Sequence, residues 1–290
     1  MKGIILAGGS GTRLYPLTVS TSKQLLPVYD KPMIFYPLSV LMLAGIRDIL
    51  IITTPEDSGK FTKLLGNGSD FGLFINYAIQ PHPDGLAQAF ILGENFINGK
   101  PCAMILGDNI FYGPELLNLL GKASVDAENG VSTIFGYEVD DPQRFGVVEF
   151  DSEGNAISIE EKPETPKSRY CVTGLYFYGS DVCNKAKLVT PSKRNELEIT
   201  DLNQMYLDEG KLKVQLLSKQ FKWWDTGTCD SLMDASVFMQ AEEKRVGSCI
   251  CSPEEIAYRK GWISLRKLKA ISERYHNSMY GKYLEELGGQ

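Results

Sequence analysis

A short apolar strand that empties into a glycine-rich, arginine-bearing loop sets the first constraint on this chain: Lys2-Gly3-Ile4-Ile5-Leu6-Ala7-Gly8-Gly9-Ser10-Gly11-Thr12-Arg13-Leu14-Tyr15-Pro16-Leu17-Thr18. Glycines at a strand end let the backbone approach a phosphate closely, because no Cβ stands between them. Two phosphate-binding patterns can be tested against it, and both fail. A Walker A loop needs Gly-Lys-Ser/Thr, whereas Gly11 is followed by Thr12-Arg13. A dinucleotide fingerprint needs a small residue three positions after Gly11, where Leu14 stands. Pro16 argues against an uninterrupted helix directly behind the loop.

Downstream, apolar strands alternate with helical stretches. Asp48–Thr53 (DILIIT) is a continuous apolar strand of the kind found in a sheet covered on both faces. Phe74–Ile79 and Cys102–Leu106 are further strands, and the pattern predicts helices over Pro32–Ala44 and Leu86–Phe96. This order is that of a doubly wound α/β fold with a mixed, mostly parallel sheet, whose ligands sit at the carboxyl ends of the strands. The middle is richer in strand: Val131–Val139, Phe145–Phe150, Ala156–Glu161 and Thr173–Tyr178, with a hairpin-like turn at 151–155. Helix Glu198–Glu209 and strands Leu212–Leu217 and Phe221–Trp224 follow, and from Ser231 the chain reads as mostly helical. We expect a core over 1–228, split at about residue 130 into an α/β part and a smaller β-rich part. Helices over 229–290 are expected to pack on it.

A net charge of −6 gives no basic field for nucleic acid, so anionic substrates need local cations. No apolar run is long enough to span a bilayer and no signal-like segment opens the sequence, so a cytoplasmic location is expected. The six cysteines form no C-x-x-C pair and read as reduced core residues, with His82 and His276 the only histidines.

Several residues carry charge or hydrogen-bonding capacity at the expected ligand edge. Lys23, with Gln24 beside it, lies on a loop returning from the glycine turn, where it and Arg13 can balance triphosphate charge. Asp108 follows an apolar strand in Leu106-Gly107-Asp108-Asn109, and Asp225 stands in Trp223-Trp224-Asp225-Thr226-Gly227-Thr228; two strand-end carboxylates suit Mg²⁺, which prefers oxygen ligands. Gln80-Pro81-His82-Pro83-Asp84-Gly85 reads as a rigid strand-to-helix turn in which Gln80 can donate and accept hydrogen bonds and the Gly85 backbone can be approached without steric cost.

With these motifs on the page, the chain resembles the sugar nucleotidyltransferases. The resemblance rests on G-x-G-T-R-L-x-P-L-T at the first loop, S-K-Q-L-L-P-V-Y-D-K-P, Q-P-x-P-D-G-L-A-Q-A-F, L-G-D-N-I, V-T-G-L-Y-F-Y, L-E-I-T-D and W-x-D-T-G-T, and runs from Lys2 to about Ile263. It implies that Gly8, Gly11, Thr12, Arg13, Lys23, Gln24, Gln80 and Gly85 hold the nucleotide. It also implies that Gly146, Glu161, Lys162, Val172, Arg194 and Trp223 hold a sugar 1-phosphate. Asp108 and Asp225 would hold Mg²⁺, and Arg13, Lys23 and Lys162 would take part in catalysis. The implied reaction joins dTTP and glucose 1-phosphate into dTDP-glucose and pyrophosphate, the first step toward dTDP-rhamnose. A UTP-dependent enzyme, or a regulator that binds nucleotide sugars without turnover, are the alternatives. The segment Cys251–Gly261 resembles a family helix that binds an inhibitory nucleotide sugar, dTDP-rhamnose, through Glu255, Ile256 and Arg259. A homotetramer is likewise implied, whereas the last segment, 264–290, is poorly diagnostic.

Overall fold

The computed structural model describes residues 1–9 and 11–289. In chain order, β1 (Lys2–Ala7) runs into the glycine loop, and a tight hairpin of β2 (Pro27–Val28) and β3 (Lys31–Pro32) leads to α1 (Phe35–Leu43). Then come β4 (Asp48–Thr53), α2 (Ser58–Leu65), β5 (Phe74–Ile79), α3 (Gln88–Leu92), α4 (Glu94–Ile97) and β6 (Cys102–Leu106). β7 (Asn109–Tyr112) and α5 (Leu116–Glu128) precede β8 (Ser132–Glu138), β9 (Gly146–Phe150), β10 (Ala156–Glu161) and β11 (Tyr170–Tyr178). The chain continues through α6 (Val182–Ala186), α7 (Ile199–Asp208), β12 (Leu212–Leu216) and β13 (Lys222–Asp225). It ends in α8 (Cys229–Val246), α9 (Pro253–Arg259), α10 (Leu265–Arg274) and α11 (Met279–Leu287).

One nine-stranded sheet organises these elements in the order β10-β9-β11-β6-β1-β4-β5, with β8 joined to β11 and β12. β6, β1, β4 and β5 are parallel neighbours, and β11 attaches to β6 antiparallel, so the β-rich middle extends the nucleotide-side sheet. Both faces are covered. Side chains of α1, α5 and the C-terminal helices α9–α11 pack on one, and those of α3, α6 and α7 on the other. That is why Ile49–Ile52 are buried without alternation. A separate two-stranded ladder pairs β7 with β13 antiparallel, Asn109 opposite Asp225.

Two expected helices are corrected. The helix expected from Pro32 starts at Phe35, because Val28 pairs with Lys31 and Pro27 with Pro32 in the hairpin. The Met33 and Ile34 amides then donate back to the Leu26 and Gln24 carbonyls, both at 2.9 Å, and the helical ladder begins at the Ile34 carbonyl, which accepts from the Leu38 N–H at 3.1 Å. The helix expected over Leu86–Phe96 divides into α3 and α4 at Gly93, a poor helix former. The cysteines are free, but only Cys102, Cys171 and Cys183 are buried. Cys229 is exposed, since Thr228 and Ser231 cap each other reciprocally and start α8 with Cys229 on its outer side. Among the described residues, no helix is long and apolar enough to cross a membrane.

Candidate active site

The carboxyl ends of β1, β5 and β6 and the β7–β13 ladder converge on two adjoining cavities. The larger, about 360 Å³, is lined by Arg13, Asp108, Gly146, Glu161, Lys162, Val172, Arg194, Trp223 and Asp225, among others. The smaller, about 170 Å³, is lined by Gly8, Gly9, Gln24, Gln80, Gly85 and Asp108. Asp108 lines both, so its carboxylate stands where a group in one cavity meets a group in the other.

The smaller cavity is bounded by the turn after β5. Gly85 has φ +102°, and a Cβ there would lie 2.3 Å from the Leu197 carbonyl oxygen, so no other residue fits. Leu197 N–H donates to the Asp84 carbonyl at 2.7 Å and Ala87 N–H to the Leu197 carbonyl at 3.1 Å, which ties this turn to the segment before α7. Across the cavity, Gln24 is buried and accepts from the Ser22 hydroxyl. Gly11, with φ +59°, opens the single turn Thr12–Leu14, and the Thr18 hydroxyl braces it by donating to the Gly11 carbonyl at 2.8 Å.

At the junction, the Lys23 ammonium is ion-paired with Asp108. The backbone holds the carboxylate in place: Thr226 donates its N–H (3.1 Å) and its hydroxyl (2.8 Å) to the Asp108 carbonyl. Burial presses the Asp108 carboxyl upward, but the Lys23 charge and hydrogen bond and the Asn109 amide outweigh it and keep it below the usual range. Asp225 is shifted the other way, by burial first and by the Asp108 charge second, with Lys23 and Arg13 opposing. Arg13 approaches from the loop side, its Nη2 only 2.9 Å from where a Cβ on Gly227 would stand. A partly buried carboxylate whose proton affinity is raised by burial and by its carboxylate neighbour is suited to sharing a divalent cation with it, whose charge removes that repulsion. These two are the residues that could hold one here. A different acidic group, Asp30, Glu243 and Cys249, lies away from both cavities and already surrounds the Lys31 ammonium.

In the larger cavity, β9 and β10 pair Gly146 with Glu161. Glu161 accepts from the Thr200 hydroxyl at 2.6 Å and from Arg194 at 3.3 Å, with the Lys162 ammonium 3.5 Å away. Lys162 itself adopts φ +45° and is exposed. Arg194 is held chiefly by Glu198, at 2.7 Å, and by Glu196, at 3.2 Å, so its charge is largely matched within the protein. The Trp223 ring packs against Phe145 and Tyr137 at the cavity wall.

Two contributors were not singled out from the sequence. Asn109 accepts from Trp223 Nε1 (2.7 Å) and the Gly174 amide (3.0 Å) through Oδ1, and donates to Asp108 Oδ1 at 3.0 Å, joining sugar-side wall and junction. Thr200 fixes Glu161 from the first turn of α7. Asn109 is written in the L-G-D-N-I motif, but its partners are distant in sequence and only the strand pairing brings them together.

Glu255, Ile256 and Arg259 stand apart from the cleft, on α9. Glu255 accepts from Arg259 at 2.7 Å and from the Tyr283 hydroxyl at 2.6 Å, and Ile256 packs partly against the core.

Residues 2–242 match the family model described as nucleotidyl transferase. The chain belongs to the nucleotidyl transferase family. It is 58% identical to a glucose-1-phosphate thymidylyltransferase of Neisseria gonorrhoeae, across 100% of both chains. It is 54% identical to one of Mycobacterium tuberculosis, across 99% of each. Among solved structures, it resembles a Bacillus anthracis protein provisionally assigned as a glucose-1-phosphate thymidylyltransferase, crystallised with a sucrose. That match has a TM-score of 0.76 and 43% identity, over 82% of this chain and 94% of the other. A UDP-glucose pyrophosphorylase complexed with UDP-glucose matches with a TM-score of 0.73 at 25% identity, over 84% of this chain and 98% of that one.

Proposed function

We propose that the chain transfers the thymidylyl group of dTTP to glucose 1-phosphate, giving dTDP-glucose and pyrophosphate. The observation that carries this is the shared wall at Asp108: the two cavities meet at that carboxylate, with Asp225 beside it in the larger one and the Lys23 ammonium paired to it. An oxygen of the sugar phosphate attacks the α-phosphorus, and the bond to pyrophosphate breaks in line with the one that forms. A phosphate monoester has its second pKa near ~6, so the attacking oxygen needs no general base at neutral pH. The site supplies position and charge. Arg13 and Lys23 neutralise the triphosphate and the departing pyrophosphate, and Lys162 binds the sugar phosphate. Glu161, held by Thr200, accepts from sugar hydroxyls, with Gly146, Val172 and Trp223 shaping the pocket around the ring. Arg194 contributes by holding Glu161 and Glu198 as well as by its charge. Asp108 and Asp225 would hold Mg²⁺, which when bound supplies charge neutralisation at the phosphates. Gln80 and Gly85 face the base, Gly8 and Gln24 line the nucleotide cavity, and Gly11 and Thr12 act from the turn that carries Arg13.

The same reading assigns 1–130 to the nucleotide, 131–228 to the sugar, and 229–290 to a packing and assembly role. It extends to a homotetramer with a second site for dTDP-rhamnose, as feedback inhibitor, at Glu255, Ile256 and Arg259. The sequence resemblance is the support for that extension.

The direct test is pyrophosphate release from dTTP and glucose 1-phosphate, with UTP in parallel and EDTA as control. We expect release that favours dTTP, stops with EDTA and returns with MgCl₂. Preference for UTP would reassign the base, and release unaffected by EDTA would remove the metal from the scheme.

A further inference from the structure

The amide of Gln80 can turn either its oxygen or its NH₂ toward a base, and a row of side chains behind it decides which. Gln88 Nε2 donates to Asp84 Oδ2 at 2.7 Å. An ionised carboxylate only accepts, so the Gln88 nitrogen must face Asp84 and its oxygen must face Gln80. Gln80 Nε2 donates to that oxygen at 2.7 Å and to the Gly85 carbonyl at 3.2 Å. Both hydrogens of the Gln80 amide are thereby used inside the protein. Its Oε1 is left on the Gly8 side of the cavity, 3.1 Å from where a Cβ on Gly8 would stand. Gln80 is buried, so an amide turned the wrong way would leave polar atoms unmatched.

We propose that Asp84 and Gln88 are positioning residues for base selection: the carboxylate gives the row of amides a direction that fixes Gln80 as an acceptor. Resting on the reaction read above, this makes the site choose pyrimidines whose N3 carries a hydrogen, thymine or uracil. Cytosine, whose N3 is itself an acceptor, meets a second acceptor and is rejected. Neither Asp84 nor Gln88 needs to touch the nucleotide.

The test compares dTTP with dCTP, by calorimetric binding and by turnover with glucose 1-phosphate, in the wild-type protein and three variants. Gln88→Lys replaces the acceptor facing Gln80 by a donor, and should lower the dTTP-over-dCTP affinity ratio by about tenfold or more. Asp84→Ala removes the anchor and should lower it by less. Gln88→Glu still accepts from Gln80 and should keep the ratio, whatever happens to the absolute rate. A wild-type protein that binds dTTP and dCTP equally would overturn the proposal. So would a Gln88→Lys protein that loses affinity for both in parallel, since a merely structural residue would do that. Normal binding selectivity without turnover would count against the reaction alone and leave the base assignment standing.

Discussion

Lys23 and Lys31 lie on one short segment, and each is set among carboxylates, yet the two surroundings differ in kind. Lys23 meets Asp108 at the junction of the cavities, with side-chain exposures of 12% and 16%. Lys31 meets Asp30 and Glu243 in the interior, with exposures of 1%, 6% and 8%. The interior set is closed. Glu243 also accepts from the Ile250 amide at 2.8 Å, Cys249 packs against Asp30, and the Tyr36 ring lies under the ammonium. Burial pulls the Lys31 ammonium toward neutrality, and its anionic neighbours more than reverse this, so it stays charged. The junction set is open, and its Asp225 has no cation in contact among the described residues while burial and the Asp108 charge raise its proton affinity. A closed set fastens the hairpin to the C-terminal segment; an open one keeps charge available to a ligand.

The largest expected effect attacks the closed set. Lys31→Met leaves Asp30 and Glu243 buried without their cation, and should cost about 3–5 kcal/mol of stability by chemical denaturation. A loss under ~1 kcal/mol would mean that the carboxylates simply take up protons and that the set is no tighter than the open one. Next in size, Asp108→Asn should lower kcat/KM at least about a hundredfold, roughly 2.7 kcal/mol of transition-state stabilisation. Its unfolding free energy should move by no more than ~1 kcal/mol, because relief of repulsion with Asp225 offsets the lost Lys23 pair. Stability falling as far as activity would erase the distinction between the two clusters.

How much of this the sequence discloses depends on whether a feature is local. β4 and β6 are readable to the residue, because a strand buried on both faces must be continuously apolar. The β2–β3 hairpin is not, since Pro32 ahead of an apolar run imitates the first turn of a helix and a two-residue ladder leaves no periodic trace. In the site, Asp108 and Asp225 are legible as strand-end carboxylates with glycines beside them. That they are neighbours is decided by the register of β7 on β13, and so is the role of Asn109. The direction of the Gln80 amide is equally hidden, because it comes from hydrogen bonds among Asp84, Gly85 and Gln88 that only the folded turn creates.

Glu254 sharpens the comparison from a third direction, as a buried acid with no lysine in contact among the described residues. It is fully buried in the first turn of α9, and the Tyr280 hydroxyl donates to Oε2 while Oε1 has no partner among the described residues. Burial pushes its carboxyl from 4.5 up to about 7, against the pull of the Tyr280 hydrogen bond. Glu243 has the Lys31 ammonium at 2.8 Å to oppose the upward push of burial, whereas Glu254 meets that push by holding a proton. Between 4.5 and about 7 the folded chain retains a proton that the unfolded chain has released. The contribution is therefore fully present below 4.5 and is lost as pH rises through about 7, with a slope of up to ~1.4 kcal/mol per pH unit. Glu254→Gln keeps an acceptor for Tyr280 and cannot titrate, so its unfolding free energy from pH 5 to 7 should fall less steeply than that of the wild type. Asp225 and Glu243 are also raised and tilt both proteins alike, so the difference between the two slopes isolates Glu254. Parallel slopes would mean that Glu254 is ionised at pH 7 and that its burial is matched by a charge, as in the Lys31 cluster.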